Sequence, residues 1–452
     1  MGSRFEEQFR NSLELHVAAN ITVLVFPPLD QTVKPFALAT LLLLAGCSTG
    51  TSQTNPSSSP HVSPAGRVTE APISTACPPV GKARAAVLTP MLLGTNPTVV
   101  YSEQPPANGG PVSSTLIRYE VTTKARVNIL SAVIDEAVVS PDGQWITFTT
   151  TASASPMLQL VRMDGSRRQT LYCAAPNGGI RGPLWSPDQK SLLFATNAGS
   201  GAPTIYELKT ATGELTPVLR DNSLSTDYIP ASWADSSHLV VSGHSSGLGP
   251  GAELSLLDLK RGANQVSSDL VQLSSSVATC FDVYGDGSTV YTSKCNGSFS
   301  DTGGSTLRGP SEITAQPTTG GSKRNVFTSP TLAVTQVRAA ASGQLLLSVG
   351  NQEPAGSAGT GAMNGLWRVN ADGSGLTQLV KATNTQGQFN LFSQTSWANL
   401  SRDGRLYAFE LSKLQKVPAY SLVVGAVAGG PPSTIATRVD GGQLLIVGWT
   451  AS

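Results

Sequence analysis

The sequence predicts an all-β protein, a β-propeller in which small four-stranded antiparallel sheets stand around a ring. Three observations predict it. No long stretch after residue 50 carries the 3.6-residue apolar period of a helix. The 452 residues include 45 Gly and 30 Pro, with abundant Ser and Thr, so turns are frequent. Finally, one unit of sequence recurs at the period of about 40–50 residues that propeller blades have.

The clearest copy spans residues 140–171. Ser140-Pro141-Asp142-Gly143 is a turn, and Trp145-Ile146-Thr147-Phe148 opens a strand. Leu158-Gln159-Leu160-Val161 forms the next strand, Asp164-Gly165 a second turn, and Gln169-Thr170-Leu171 the return. The first turn recurs as Ser186-Pro187-Asp188-Gln189, Ala234-Asp235-Ser236-Ser237, Gly285-Asp286-Gly287, Ala341-Ser342-Gly343 and Ser401-Arg402-Asp403-Gly404. Asp142, Asp188, Asp235, Asp286 and Asp403 therefore mark a scaffold turn, the first three spaced by 46 and 47 residues. Apolar residues stand four and six places after the aspartate: Ile146 and Phe148, Leu192 and Phe194, Leu239 and Val241, Tyr407 and Phe409. Those offsets put each pair on one face of a strand.

Third strands read at 204–208, 254–257, 366–369 and 420–423, and outer strands at 218–219, 273, 326–327, 379–380 and 435. In the fifth unit, 296–322 is mostly Gly, Ser and Thr and reads as a long mobile loop. Six units run from about 132 to 440. A partial one precedes them at 98–101, 115–119 and 126–130, short of one strand. The C-terminal run 443–449 is a spare strand. Lending it to the partial unit closes the ring and removes two edges that invite pairing. We therefore expect seven blades of four antiparallel strands with the ring closed by the C-terminal strand. Residues 83–88 are the rival for the missing strand, and six or eight blades are the alternative counts.

Trp185-Ser186-Pro187-Asp188 with Leu192-Leu193-Phe194 and Ile205-Tyr206-Glu207-Leu208 resembles the WD40-like (PD40) repeat of the TolB C-terminal domain. So do Ser140-Pro141-Asp142-Gly143 and Leu366-Trp367-Arg368-Val369-Asn370-Ala371-Asp372-Gly373. The resemblance covers about 130–410. It implies a propeller and no particular activity. TolB also carries an N-terminal α/β domain, for which residues 48–82 leave no room, so a Tol-system role is not expected.

The N-terminal segment has a different logic. Lys34 precedes the apolar run 36–44, which is too short for a membrane-spanning helix of about 20 residues and fits the core of a secretory signal. Leu44-Ala45-Gly46-Cys47 resembles a bacterial lipobox, which implies cleavage before Cys47 and its lipidation; a plain signal peptide with an incidental cysteine is the alternative. Two or three acyl chains anchor stably, where one would not. Residues 1–32 carry Glu6, Glu7, Glu14 and Asp30 ahead of the cation, which such signals do not. We expect translation to begin near Val33, from a GTG codon. From Ser48 to Ala76, sixteen of twenty-nine residues are Ser, Thr or Pro, too polar to bury a core, so 48–82 reads as an extended tether and 83–452 as the propeller.

With Cys47 lipidated, Cys77, Cys173, Cys280 and Cys295 remain, an even set that outside the cytoplasm suggests disulfides with three connectivities. Cys280 and Cys295 flank the turn at 284–287 almost symmetrically, which favours Cys280–Cys295. Cys77–Cys173 then staples the N-terminal arm to the second blade. Free buried thiols are the alternative. No metal or cofactor is expected, since no Cys-x-x-Cys or His pair has ligand spacing. Asp282 and Asp286 read as turn caps before they read as calcium ligands. Gly243-His244-Ser245-Ser246-Gly247 matches a nucleophile elbow, but Leu248-Gly249-Pro250-Gly251 cannot begin the helix that follows one, and no histidine lies downstream to serve as base. We read it as a loop between blade strands. Trp185 and Trp233, just before their turns, read as blade core.

Lys and Arg number 30 against 29 Asp and Glu, so no clustered positive charge suggests a nucleic-acid partner. Propellers bind at the channel mouth, where loops from every blade converge. The polar, Gly-rich segments 151–157, 197–203, 245–253, 296–306 and 351–364 supply such loops. The expected protein is a lipid-anchored binding or scaffold module at the bacterial cell envelope, on the outer face of the cytoplasmic membrane or on the outer membrane. Its expected partner is an envelope protein, a peptide or a glycan. A hydrolase- or lyase-type enzyme with its site at the channel mouth, and a purely structural envelope protein, are the alternatives.

Overall fold

A computed structural model describes residues 73–106, 112–151, 155–197, 203–220, 226–245, 252–273, 281–298, 306–317, 321–351, 361–382, 400–413, 417 and 419–450. All belong to one compact unit, Val68–Ser452. Seven sheets form it. Blade I pairs β1 (Thr98–Gln104), β2 (Ser114–Glu120) and β3 (Arg126–Ala132). Blade II is β4 (Ala137–Val139), β5 (Trp145–Thr150), β6 (Met157–Arg162) and β7 (Gln169–Cys173). Blade III is β8 (Gly179–Trp185), β9 (Ser191–Asn197), β10 (Thr204–Lys209) and β11 (Leu215–Arg220). Blade IV contains β12 (Thr226–Trp233), β13 (His238–Ser245) and β14 (Ala252–Asp258). After it come β15 (Gln265–Val266), which leaves the blade, and β16 (Val271–Gln272), which completes it. Blade V is β17 (Phe281–Gly285), β18 (Thr289–Ser298), β19 (Thr306–Pro317) and β20 (Arg324–Ser329). Blade VI is β21 (Val334–Ala340), β22 (Gln344–Val349), β23 (Gly365–Asn370) and β24 (Thr377–Lys381). Blade VII holds β25 (Leu406–Lys413), β26 (Ala419–Ala426) and β27 (Ser433–Arg438), with Leu400 bridging Tyr407 on the inner side. The last strand, β28 (Gln443–Trp449), pairs antiparallel with β1 from Val99↔Trp449 to Gln104↔Gln443.

The ring thus has seven blades and is closed by the C-terminal strand. Residues 83–88, the rival, form no strand. They belong to an arm that lies along blades II and III. The Arg84 N–H donates to Leu171 O at 2.8 Å, and the Ala86 N–H to Thr210 O at 2.8 Å. The arm reaches back into the segment read as tether: the Thr170 N–H and hydroxyl donate to Ser74 O and Thr75 O at 2.9 and 2.7 Å. It covers the outer edge of β7, which would otherwise present unpaired backbone. The outer edge of blade III is covered differently, by β15 pairing parallel to β11.

The apolar pairs four and six places after each aspartate sort as their offsets require. Ile146 and Phe148 pack with Val100 and Leu116 of blade I, and Leu192 and Phe194 with Leu158 and Leu160 of blade II. Leu239 and Val241 meet Leu193 and Ala195 of blade III, while Tyr407 and Phe409 meet Leu346 and Leu366 of blade VI. Each pair faces the preceding blade. Residues of the alternate parity face the next one: Trp145 packs into the blade II–III cluster and Leu193 into the III–IV cluster. The second strand of a blade is therefore buried on both faces, and all six residues of β5 are buried.

The repeated turns use two hydrogen-bond schemes. In three copies the serine two places before the aspartate donates its hydroxyl to it, and its oxygen accepts a strand N–H. Trp145 N donates to Ser140 Oγ at 3.0 Å, Ser191 N to Ser186 Oγ at 2.9 Å and Leu406 N to Ser401 Oγ at 2.9 Å. In the other two the hydroxyl comes two places after. Ser237 and Ser288 give Asp235 and Asp286 both their N–H, at 2.7 and 2.9 Å, and their Oγ–H, at 3.0 and 2.8 Å. These donors hold the Asp188 and Asp403 carboxyls below the usual range. At Asp235, partial burial opposes the same lowering, but the Ser237 and His238 donors outweigh it. The turn ends in a left-handed residue: Gly143 at φ 71°, Gly404 at φ 66°, and Gln189 at φ 60°, where a side chain is tolerated only at a cost. Gln189 turns that position to use. Its amide exchanges two hydrogen bonds with Asp142 of the neighbouring turn, at 2.9 and 3.0 Å.

Blade V departs from the expectation. Asn296–Ser298 belongs to β18, and Thr306–Pro317 is a twelve-residue strand, not a loop. Its buried positions include Leu307, Ile313 and Ala315, but the residues between them are polar, so the composition hid the alternation. Glycine serves there as well: a Cβ at Gly309 would stand 2.4 Å from Pro330 O.

Candidate functional site: the axial channel

The innermost strands run side by side around the axis, each with one edge lacking a strand partner. Two prolines stand on these edges, Pro183 in β8 and Pro230 in β12, where a missing N–H leaves no donor unpaired. Between the strands lies a cavity of about 360 Å³ with walls from all seven blades. Pro183, Leu184, Pro230 and Trp233, from blades III and IV, form an apolar arc, and Tyr284 and Arg338, from blades V and VI, continue the wall. Glu136 enters just ahead of β4. The volume lies at the small end of the range of about 300–1,000 Å³ for ligand pockets.

Each polar group in this wall also ties one blade to the next. Glu136 Oε2 accepts the Gly182 N–H at 2.6 Å, at an irregularity in the β8–β9 register. Gly182 is left-handed at φ 58°, and a Cβ there would stand 2.8 Å from Pro230 O, so the position needs glycine. Asp282 of β17 accepts the Val337 N–H at 2.9 Å and the Arg338 guanidinium at 2.6 Å. Arg338 also lies 5.0 Å from the centre of the Tyr284 ring, a cation–π contact. The half-buried Glu410 of β25 repeats the pattern at the closure, accepting the Ile446 N–H of β28 at 2.7 Å.

Burial governs the titration of these acids. Loss of water pushes the Glu136 carboxyl up to about 7, with the Gly182 N–H and Arg181 opposing and Asp135 assisting. Burial pushes Glu410 up to about 8, and the Ile446 N–H only partly offsets it. The Tyr284 phenol is raised by burial as well.

The residues singled out from the sequence fall elsewhere. Asp142, Asp188, Asp235, Asp286 and Asp403 cap turns between first and second strands. Cys77 and Cys173 form a disulfide with Cα atoms 5.7 Å apart. Cys295 lies in β18 and is disulfide-bonded, while Cys280 and Cys47 with its lipobox Leu44, Ala45 and Gly46 lie outside the described residues. Most of the loop set read as ligand-binding lies outside them too. Gly243, His244 and Ser245 are the end of β13, paired with β12 and β14, and so are strand and not loop, while Ser246 and Gly247 lie outside the described residues. Asp286 caps its turn, whereas Asp282 sits in a strand facing Arg338. Among the described residues no group of three or more His, Cys, Asp or Glu is placed to hold a metal. Trp185 is core, as read, but Trp233 also lines the cavity and donates its indole N–H to Trp185 O at 2.7 Å. Glu136 and Arg338 were missed, and Asp282, read as a turn cap, instead pairs with Arg338 across two blades. Their signal was a charged residue in or just before an innermost strand, and it is visible only once the strands are assigned to the axis.

No protein-family model and no curated protein matches the chain. Among solved structures it is similar to TolB from Acinetobacter baumannii, at 14% identity and a TM-score of 0.42, covering 79% of this chain and 68% of TolB. It is similar to the β-propeller domain of the Trilobed protease from Pyrococcus furiosus, at 12% identity and 0.44, covering 75% and 96%. It is similar also to an oligogalacturonate lyase in complex with manganese, at 12% identity and 0.46, covering 75% and 84%. The likeness at these identities is one of fold.

Proposed function

We propose that the protein is a binding or scaffold module of the bacterial cell envelope, exported, lipid-anchored through Cys47 and carried on a Ser/Thr/Pro-rich tether. The observation that carries this reading is the Cys77–Cys173 disulfide. Such bonds persist in oxidising compartments and are rare in the cytosol. It joins the segment that emerges from the tether to the outer strand of blade II. The partner is an envelope protein, peptide or glycan. Labelled palmitate should enter the full chain and not Cys47→Ala; equal incorporation in both removes the anchor. A pull-down from envelope extract with the fragment starting at Val68 should recover a specific partner, and recovery of only what an unrelated propeller recovers removes the binding role.

A hydrolase- or lyase-type enzyme is the second reading. It is favoured by Glu136, a carboxyl held near neutrality in a cavity, where general acid–base groups are tuned to lie. Turnover of model esters or uronides that Glu136→Gln abolishes would establish it; unchanged turnover in that variant would exclude Glu136 as its acid or base.

A further inference from the structure

The axial cavity combines an apolar arc with two charged groups. Its wall is apolar over the arc of Pro183, Leu184, Pro230 and Trp233. Among the described residues lining it, Glu136 and Arg338 carry the charges. These two are not equivalent. The Arg338 guanidinium is matched by Asp282 at 2.6 Å and stacked over Tyr284. Among the described residues, the Glu136 carboxyl accepts one hydrogen bond, a backbone N–H from Gly182. Its nearest charged neighbours, Asp135 and Arg181, oppose one another. A carboxylate in such a wall lacks a full counter-charge, and a buried charge is costly unless it is paired.

We propose that the cavity is a binding site for a small organic ammonium ion, its hydrocarbon or aryl body lying against Pro183, Pro230 and Trp233 and its ammonium group pairing with Glu136. The chemistry of the wall selects this class. An organic anion would meet the Glu136 carboxylate. A neutral molecule would use the apolar arc but leave the carboxyl without a counter-ion. An ammonium ion supplies the missing charge, and its body can lie against Trp233 in the same wall. The site does not depend on membrane anchoring. It also does not depend on turnover, since Glu136 acts here only as counter-ion.

Pairing with a cation favours the ionised carboxyl. The carboxyl free of ligand is near half-protonated at neutral pH. Binding therefore releases a proton, and affinity rises as the carboxyl ionises. The test is calorimetry on the purified full chain with phenethylammonium, 2-phenylethanol and phenylacetate as probes of matched body and different charge. Phenethylammonium should bind about tenfold tighter at pH 8 than at pH 6, with about half a proton released at pH 7 and close to one at pH 6, as read from two buffers of different ionisation enthalpy. Phenylethanol should bind weakly and without that pH dependence, and phenylacetate should not bind. Glu136→Gln keeps an oxygen for the Gly182 N–H and should lose about tenfold in ammonium affinity at pH 8, together with the proton release. Equal binding of alcohol and ammonium, binding without proton release, or no ammonium binding up to about 10 mM overturns the proposal. The wild-type comparison of the three probes decides the matter even where Glu136→Gln folds poorly.

Discussion

The blade II–III and blade IV–V interfaces solve the same problem with different materials. Between II and III, among the described residues, eleven buried side chains form one cluster, including Trp145, Trp185 and the Tyr172–Phe194 pair at 5.1 Å. The arm seals it with Ala83, Ala86 and Leu88, and the Cys77–Cys173 bond fixes the arm. Between IV and V, among the described residues, the buried cluster is Ala234, Val240, Leu254 and Val283. There the backbones come close: a Cβ at Gly285 would stand 2.2 Å from Ala234 O. One interface is held by side-chain volume and a covalent staple, the other by close backbone approach. Elements with few buried apolar contacts open first. Ala231 and Gly285, on the IV–V side, also line the cavity, so the thinner interface is one that borders the proposed ligand.

The largest test of the contrast is Phe194→Ala. It removes a fully buried ring from the II–III cluster and should cost about 3–5 kcal/mol in urea unfolding. Cys77→Ser removes a cross-link spanning 96 residues and should cost about 2–4 kcal/mol, with faster amide exchange confined to the arm and β7. At the thin interface, Gly285→Ala should cost about 1–3 kcal/mol, because the Ala234 backbone must move to admit the methyl group. Val240→Ala should cost about 1–2 kcal/mol there. If it costs as much as Phe194→Ala, the IV–V contact is not the weaker one and the comparison fails.

A separate test concerns pH. Glu136 and Glu410 titrate near 7 and 8 in the fold, against 4.5 for an ordinary glutamate. The folded state therefore binds more protons than the unfolded state between those values, and stability falls as pH rises. The contribution is fully present below about pH 4.5 and is lost as pH climbs through 7 and 8. The melting temperature should decline from pH 5 to pH 8. Glu410→Gln, which keeps an acceptor for the Ile446 N–H, should flatten the upper part of that decline. An unchanged slope would show that the closure acid is solvated.

Much of the fold was legible because a propeller repeats its local rules. The turn aspartates and the apolar residues four and six places beyond them identified second strands, and their shared face emerged as the blade interface. The missing strand of blade I pointed to 443–449, since an unfilled edge has few candidates. Blade V was misread because β19 alternates small and polar residues, and its burial comes from neighbours distant in sequence. The arm was read as tether up to residue 82. Ser74 and Thr75 are polar, and only their backbone carbonyls, which sequence does not distinguish, hold them to Thr170.

The amino-acid sequence by itself determined the repeat, because strand periodicity and turn chemistry act locally; it favoured seven blades closed by 443–449, and the structure decided that count over six or eight and that strand over 83–88. It also set a leader, a tether and an envelope protein as expectations. Only the tertiary structure decided which polar residues face the axis. Glu136, Asp282 and Arg338 lie in or beside short strands with nothing distinctive around them. What makes them a site is closure of seven sheets about one line, which strips water from Glu136, sets Arg338 against Asp282 and leaves Trp233 and two prolines to line the space between.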